Sequence, residues 1–238
     1  MRQSKSDLAS TAIAQAMRIR REAKIELHSP ISIFDVCEKF GVSVRFHDIP
    51  SMEGMYMPEG QPKPVVIVSS LRPPGRRALT CGHEFGHHIF KHGKKWDELK
   101  EVNESATNFE PHEFQSDVFS AYLQMPKLAV SHALACRNLD PQRCKTEDLF
   151  ALSGFFGVSY SAFVTHLELV LKLIDAGRAK ELSTQKPKNI RDMLLGYPCP
   201  HNLYVVDLCW NGRAVDIEVG DILILPSDIE LEGASVRI

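Results

Sequence analysis

Apolar side chains recur at helical spacing near the start of the chain. Leu8, Ala12, Ala16 and Ile19 are separated by three or four residues. Residues at this spacing share one face of an α-helix, so the pattern predicts an amphipathic helix within residues 1–27.

The next segment predicts a short helix and then strands. Ser32 is suited to the cap at the helix start, and Gly41 is suited to the position that follows a helix end. Apolar and polar positions then alternate, which predicts strands at 42–46, 54–57 and 65–68. Pro64 directly precedes the last of these, and proline is typical of edge strands or strand starts. We therefore expect residues 65–68 to form an edge of the sheet.

Helical spacing returns after a proline-rich break and continues to about residue 180. The pattern predicts one helix over residues 76–92 and a second that begins at Pro111 and ends before Pro126. Residues 127–180 are predicted to be helical throughout, with a helix–turn–helix unit in their second half.

The apolar period changes to two in the last forty residues. The Asn211-Gly212 pair favours a tight hairpin between strands over residues 203–210 and 213–219. A third strand is predicted over residues 222–225, and residues 234–238 are a candidate fourth. The predicted fold class is therefore α+β, a mainly helical core with a small antiparallel sheet and a C-terminal β module. The predicted division is 1–27 as the amphipathic helix, 28–180 as the core domain, 181–200 as a polar linker and 201–238 as the β module.

Composition favours a folded protein whose net charge creates no positive electrostatic potential to attract nucleic acid. Apolar residues make up 44% of the chain and the formal net charge is -2. No apolar run approaches the roughly 18 residues of a membrane-spanning helix, and the N-terminus lacks a secretory pattern. The six cysteines are scattered and include no Cys-x-x-Cys pair. We expect reduced thiols and a cytoplasmic location.

One motif carries recognisable chemistry. The predicted helix over residues 76–92 contains His83, Glu84 and His87 in the pattern His-Glu-x-x-His. Two imidazoles four residues apart on a helix can bind one ion, and zinc is the metal that this pattern favours. The intervening glutamate can act as a general base toward water. The competing interpretation is a surface helix that is merely rich in histidine.

A second acidic pair suggests the rest of the metal site. Glu113 and Asp117 are also four residues apart on a predicted helix. Glu113 is the candidate third ligand, and Asp117 can accept a hydrogen bond from a ligand histidine. Glu104 and Glu110 compete for the ligand role, but neither has an acidic partner four residues later. The alternative for Glu113 and Asp117 is that they are ordinary solvated side chains on an amphipathic helix.

Other histidines and tyrosines surround this motif in the sequence. His88 and His92 should point away from the ligand face of the helix. Cys199 and His201 form a weak metal signal because they lack companions. Spacing alone leaves the oxyanion stabiliser open among four candidates: Tyr56, His112, Tyr122 and His201.

Five segments in order form a more specific pattern than the His-Glu-x-x-His motif alone. They are SIFDVCEKFGVSVRF, EGMYMPEGQPKPVVIVSS, RRALTCGHEFGHHIFKHG, EFQSDVFSAYLQMP and EDLFALSGFFGVSYSAFVTHL. They combine a short helix ending in Gly-Val, two strands, the His-Glu-x-x-His helix and an acidic helix ending in Met-Pro. Over about residues 28–175 the chain therefore resembles the ImmA/IrrE family of metallopeptidases.

The resemblance implies a zincin-like peptidase core with His83, His87 and Glu113 as zinc ligands and Glu84 as the catalytic base. It also implies a protein substrate, a helix-turn-helix repressor of stress or mobile-element genes. The chain departs from the family at Gln115, where a second acid is common, and at Ser116, where alanine is common. Neither departure replaces an implied ligand.

Two hypotheses that involve no proteolysis compete with the peptidase hypothesis. The predicted helix–turn–helix unit suggests a zinc-stabilised DNA-binding regulator. Its second helix, residues 160–173, carries only Lys172 as a basic residue, whereas phosphate contacts need several. We therefore do not expect direct DNA binding. A zinc scaffold that binds a partner without cleaving it would have no need of Glu84.

Overall fold

The computed structural model describes residues 4–93, 95–98, 109–210 and 217–226. The chain divides into two compact units, Met1–Val130 and Ser131–Ile238. The fold is α+β, with mostly helices and small sheets. The helices are α1 Lys5–Glu22, α2 Ile33–Lys39, α3 Pro74–Phe90, α4 Pro111–Gln124, α5 Lys127–Cys136, α6 Thr146–Phe156, α7 Tyr160–Thr165, α8 Ala176–Thr184 and α9 Pro187–Leu195. The strands are β1 Ser43–His47, β2 Met52–Met57, β3 Val65–Ser69, β4 Lys95–Glu98, β5 Leu203–Val205 and β6 Ile222–Ile224.

The sheet of the first unit is mixed, so the expectation of an antiparallel sheet was wrong. Its strand order is β1-β3-β2-β4. The pair β1–β3 is parallel, and the pairs β2–β3 and β2–β4 are antiparallel. The parallel pair forms because β3 inserts between the two strands that precede it in sequence.

The expectation that residues 65–68 form an edge strand was also wrong. The strand β3 is paired on both sides, with Val66 opposite both Val44 and Tyr56. Pro64 stands just before the strand, where its missing N–H costs no ladder bond and its carbonyl accepts the N–H of Ser43. Among the described strands, the outer ones are β1 and β4.

The helices α1 and α3 both pack against α4. Apolar residues of α1, α2, α3, α4 and the sheet form one core in the first unit, in which α1 is therefore an integral part. Its members include Ala12, Ala16, Ile19, Val36, Cys37, Val66, Val68, Cys81, Phe85, Phe119 and Leu123. This packing fixes the relative position of α3 and α4, the two helices that carry the predicted metal-binding residues.

Local signals set the ends of these helices much as the sequence predicts. Ser32 caps α2 by accepting the N–H of Asp35, and Gly41 adopts a left-handed φ of +76°. The helix α4 begins at Pro111 as predicted. The predicted helix over residues 76–92 is shifted to Pro74–Phe90 because Lys91 adopts a left-handed conformation and ends it.

Among its described residues, the second unit holds the last part of α5 and all of α6 to α9. Residues 181–200, predicted as a polar linker, are partly helical. They contain the end of α8 and all of α9, because Pro187 occupies the first helical turn, where proline is tolerated, and Gly196 ends the helix in a left-handed conformation. Both α9 and β5 pack on α6.

The C-terminal β module differs from the prediction. The strands β5 and β6 pair in parallel, with Leu203 opposite Ile222. The strand predicted over residues 203–210 ends at Val205, and residues 208–210 form a 3₁₀ turn. The predicted Asn211-Gly212 hairpin and the predicted strand over residues 234–238 lie outside the described residues.

The helix–turn–helix segment is a packing unit. Gly157 takes a left-handed φ of +67° between α6 and α7, and a π-helical turn over His166–Val170 follows. Tyr160, Phe163 and Val164 are buried. Among the described residues, no single helix has the length and apolarity to cross a membrane. The helix α6 and residues 160–170 reach that length and apolarity only together, as a pair bent by 102°.

Candidate metal centre

The predicted metal-binding side chains of α3 and α4 lie together. His83 and His87 follow one another on the same face of α3, and Glu113 approaches them from α4. The His83 and His87 Nε2 atoms are 2.9 Å apart, and Glu113 Oε2 lies 3.1 Å and 3.6 Å from them. Both imidazoles are buried, which limits competition from bulk water.

These distances fit a metal ion. Nitrogen and oxygen ligands lie about 2.0–2.2 Å from zinc, so two ligands of a tetrahedral site are separated by about 3.3 Å. The three separations in this cluster bracket that value. Two imidazole nitrogens and a carboxylate also form the donor set of one class of catalytic zinc site. The residues present therefore fit a metal ion.

Glycines on α3 allow α4 to approach closely. A Cβ added at Gly82 would lie 2.5 Å from Ser120 Oγ, and one added at Gly86 would lie 3.1 Å from the Cα of Ser116. Gly82 and Gly86 are four residues apart, so they form a stripe without side chains along the contact with α4. The stripe brings Glu113 within reach of the histidines.

Asp117 orients the first imidazole. Its Oδ1 lies 2.8 Å from His83 Nδ1, so Nδ1–H donates to the carboxylate. That hydrogen bond places the lone pair of His83 on Nε2, which faces the cluster. Asp117 thus occupies the position that the sequence analysis proposed for it.

His92 orients the second imidazole, although the sequence analysis excluded it as lying off the ligand face. Its Nδ1 lies 2.9 Å from His87 Nδ1, and its Nε2 lies 3.3 Å from Gln115 Oε1. Because the Gln115 oxygen accepts from His92 Nε2–H, His92 Nδ1 can accept from His87 Nδ1–H. This tautomer leaves the lone pair of His87 on Nε2, toward the cluster.

Helical projection failed for His92 because the helix ends before it. Lys91 turns the chain in a left-handed conformation, and His92 N–H then bonds the His87 carbonyl at 3.0 Å. The signal available in the sequence was the Lys-His-Gly stretch at the predicted helix end. The ring of His112 stacks on that of His92, with centroids 4.0 Å apart.

Glu84 lies on the sheet side of the site. It is fully buried, and β2 passes directly over it. A Cβ added at Gly54 would lie 2.9 Å from Glu84 Oε1 and 2.5 Å from the Thr80 methyl group. Only glycine therefore leaves room for the carboxylate at this position of β2. No pattern in the sequence distinguished Gly54 from other glycines.

Other predicted candidates lie elsewhere. His88 points away from the cluster and bonds Tyr56 Oη at 2.8 Å, and burial lowers the His88 pKa and raises the Tyr56 pKa. Glu110 is exposed at the start of α4, and Glu104 lies outside the described residues. The Cys199 thiol is buried and donates to the His201 carbonyl. Tyr122 is partly buried against the core of the first unit.

A helix carrying His-Glu-x-x-His, joined by a glutamate from a second helix, is the arrangement of glutamate-type metallopeptidases. Comparison with protein families agrees with this class. The IrrE N-terminal-like domain, peptidase family M78, matches residues 37–168, more than half of the chain. The chain belongs to this family, which confirms the ImmA/IrrE resemblance. A search of curated proteins found no match.

The first prediction concerns metal content. Changing His83 to Ala should reduce bound zinc from about one ion per chain to less than about a tenth, because two ligands rarely hold catalytic zinc. Inductively coupled plasma mass spectrometry on dialysed protein measures it. His88→Ala is the matched control, since that imidazole is on the same helix but bonds Tyr56. Wild-type zinc content in His83→Ala would refute the assignment of the site.

The second prediction concerns His92. His92→Phe should keep an aromatic ring beside His112 but remove the acceptor for His87 Nδ1–H. We expect zinc affinity to fall about 10–100-fold, the usual effect of losing a partner of a ligand histidine. Competition with a chromophoric chelator gives the dissociation constant. His112→Phe removes the neighbouring imidazole and should change it little; equal affinities for the two variants would contradict the role of His92.

Proposed function

We propose that this protein is a zinc-dependent endopeptidase that acts in the cytoplasm on a helix-turn-helix transcriptional repressor. The observation that carries the proposal is the convergence of His83, His87 and Glu113 next to the buried carboxylate of Glu84. Membership in a peptidase family supports hydrolysis, and the ImmA/IrrE resemblance supports a repressor as substrate.

The choice of zinc rests on the donor set. Two neutral imidazoles and one carboxylate suit zinc better than calcium or magnesium, which prefer oxygen ligands. A zinc ion held by these side chains would supply Lewis acidity, lowering the pKa of a coordinated water to about 7 and polarising a peptide carbonyl.

The residues around the cluster transfer protons, orient the ligand imidazoles and leave space for the catalytic carboxylate. Glu84 takes a proton from the attacking water and delivers it to the leaving amine, the usual role of a general base that later acts as an acid. Asp117 and His92 hold the two imidazoles in the tautomers that present Nε2. Gly54 leaves space for the Glu84 carboxylate between β2 and α3.

A peptide substrate needs a sheet edge if it binds by strand addition. The sequence analysis assigned that edge to residues 65–68, which form the interior strand β3. We now assign it to β4, because β4 is an outer strand paired with β2, and β2 lies against Glu84. The opposite outer strand, β1, is separated from β2 by β3.

The alternative is a zinc-stabilised regulator that binds DNA or a partner without proteolysis. In the structure the second helix of the segment that suggested DNA binding ends at Val170. Its exposed residues are Ser161, Thr165, Leu169 and Val170, none of them basic, and the exposed Lys172 follows the helix end. Phosphate binding would require several lysines or arginines on that face. We therefore favour the peptidase.

The deciding experiment compares cells that express the wild-type chain with cells that express Glu84→Gln at the same level. Quantitative proteomics of newly formed peptide termini should reveal one protein, a helix-turn-helix repressor, cleaved only in wild-type cells. Cleavage of a protein of another class would retain the peptidase and exclude the repressor. Identical termini in both strains, with the repressor-controlled genes still induced, would favour the regulator.

The residues after Leu182 are a candidate for choosing the substrate, but deleting them would also change the stability of the protein. A cut after Leu182 removes α9 and β5, which pack on α6. It also removes Trp210, whose ring meets that of Phe155 edge-on at 5.6 Å. The cut would expose apolar surface within the second unit, so we expect aggregation. A role of this segment in substrate choice must be tested by exchanging exposed residues.

A further inference from the structure

Two cysteines distant in sequence meet in the second unit. Cys136 is the last residue of α5, and Cys209 lies in the 3₁₀ turn after β5. The Cys209 Sγ lies 3.7 Å from the Cys136 carbonyl oxygen, so the Cys209 thiol donates to the backbone of Cys136. Both are free thiols; Cys136 is exposed and Cys209 is half-buried. The metal centre uses neither of them.

An ion pair between their neighbours holds the two thiols in place. Arg137 Nε and Nη2 donate to Asp207 Oδ2 and Oδ1 at 2.6 Å and 2.9 Å. Such a two-point pair fixes orientation as well as distance. Asp207 Oδ1 also accepts the backbone N–H of Cys209 at 2.9 Å. The Arg137–Asp207 ion pair therefore starts at the residue after Cys136, and its carboxylate binds the backbone of Cys209 directly.

Aromatic packing supports the same arrangement. The Arg137 guanidinium lies 4.5 Å from the centre of the Phe155 ring on α6, and Phe155 in turn meets Trp210. Trp210 is buried directly after Cys209. The segment that carries Cys209 is thus fixed by packing on one side and by the ion pair on the other.

The surroundings give the two thiols different reactivity. The His132 ring nitrogens lie 3.6 Å from Cys136 Sγ, one helical turn before it, where an imidazole can take up the thiol proton. Burial raises the pKa of Cys209, while the Arg137 guanidinium acts in the opposite direction. Cys136 is therefore suited to react first, and Cys209 to react second.

We propose that Cys136 and Cys209 form a dithiol that hydrogen peroxide oxidises to an intramolecular disulfide. The Cys136 sulfur attacks a peroxide oxygen, the O–O bond breaks, and water leaves with formation of a sulfenic acid. The Cys209 sulfur then attacks the Cys136 sulfur, the S–O bond breaks, and a second water leaves. Two thiols lose two hydrogens, and one hydrogen peroxide is reduced to two waters.

A second thiol pair in the chain provides a control. Cys37 and Cys81 have sulfurs 3.7 Å apart, but both are fully buried in the first unit. Burial, and then the hydrogen bond with Cys37, raise the pKa of Cys81 well above its ordinary value. In both pairs the two cysteine residues are in contact, whereas access for a peroxide differs. The Cys37–Cys81 pair should stay reduced in the folded protein.

The test uses the full chain, freshly reduced, freed of reductant and treated with hydrogen peroxide. Before alkylation, intact mass spectrometry should show a loss of about 2 Da. After alkylation, the oxidised chain should carry two alkyl groups fewer than the reduced control, and peptide mapping should assign the difference to a Cys136–Cys209 cross-link. Cys37 and Cys81 should be alkylated only after unfolding. Dithiothreitol should reverse the modification.

Substitutions distinguish this dithiol from unspecific oxidation. Cys209→Ser should abolish the cross-link and leave a sulfenic acid on Cys136 that a 1,3-diketone traps. Cys37→Ser should form the cross-link as the wild type does. If folded wild-type protein yields no Cys136–Cys209 peptide, or only disulfides between chains, the proposal is overturned. Because the wild type itself is decisive, misfolding of a variant cannot rescue the proposal.

Discussion

Replacing Glu84 with glutamine should lower the rate of peptide cleavage by about 100-fold or more while leaving bound zinc unchanged. The expected loss is the typical contribution of a general base. An amide of nearly the same shape fits the space under Gly54 but cannot accept a proton from water. The cleavage rate of a proteome-derived peptide library by zinc-loaded protein, followed by mass spectrometry, measures the effect.

Glu110→Gln is the matched control for this experiment. It makes the same chemical change at an exposed carboxylate that does not belong to the metal cluster. We expect wild-type cleavage from it. A Glu84→Gln enzyme that cleaves at the wild-type rate would assign the base elsewhere. Loss of zinc together with cleavage would show that Glu84 supports the metal centre instead of the proton transfer.

The largest effect on stability should come from Arg20→Met. Arg20 is fully buried in α1 and has a pKa lowered by burial to about 10, so it remains charged at neutral pH. Its guanidinium donates to the carbonyls of Leu123, Glu26 and Ser29. Methionine fills much of the volume but leaves these carbonyls without that donor.

Unsatisfied buried carbonyls make this substitution costly. We expect the free energy of unfolding to fall by about 3–5 kcal/mol, since each such group costs about 1–3 kcal/mol and the protein can relax in part. Urea unfolding followed by circular dichroism, with the same zinc concentration for each variant, measures the change. Arg21→Met, at an exposed position of the same helix, should change it by less than about 0.5 kcal/mol. Similar midpoints for both variants would show that Arg20 is dispensable.

The sequence alone determined the parts of the site that depend on local geometry. His83 and His87 lie on one face of α3 because four residues make about one helical turn, and the same holds for Glu113 and Asp117 on α4. The start of α4 at Pro111 and the end of α2 before Gly41 were predictable for a similar reason. Proline and glycine restrict or extend the backbone angles of a few neighbouring residues, whatever the rest of the chain does.

Only the tertiary structure decided which distant segments meet. The alternation in β3 predicted a strand but not its place between β1 and β2, because strand order depends on long-range pairing. The parallel pairing of β5 and β6 likewise could not be predicted from the local pattern of apolar residues. The partnership of His92 with His87 depends on one left-handed residue, Lys91, after which helical projection no longer applies.

Tertiary packing also decides which residues are buried and which remote side chains come into contact. Arg20 reads in sequence as one of several surface arginines on an amphipathic helix, and its burial follows from the packing of α1 against α4. Cys136 and Cys209 form no recognisable motif, and the Arg137–Asp207 ion pair brings them together. Periodicity is a property of consecutive residues, whereas such meetings are decided by the packing that closes the long loops between them.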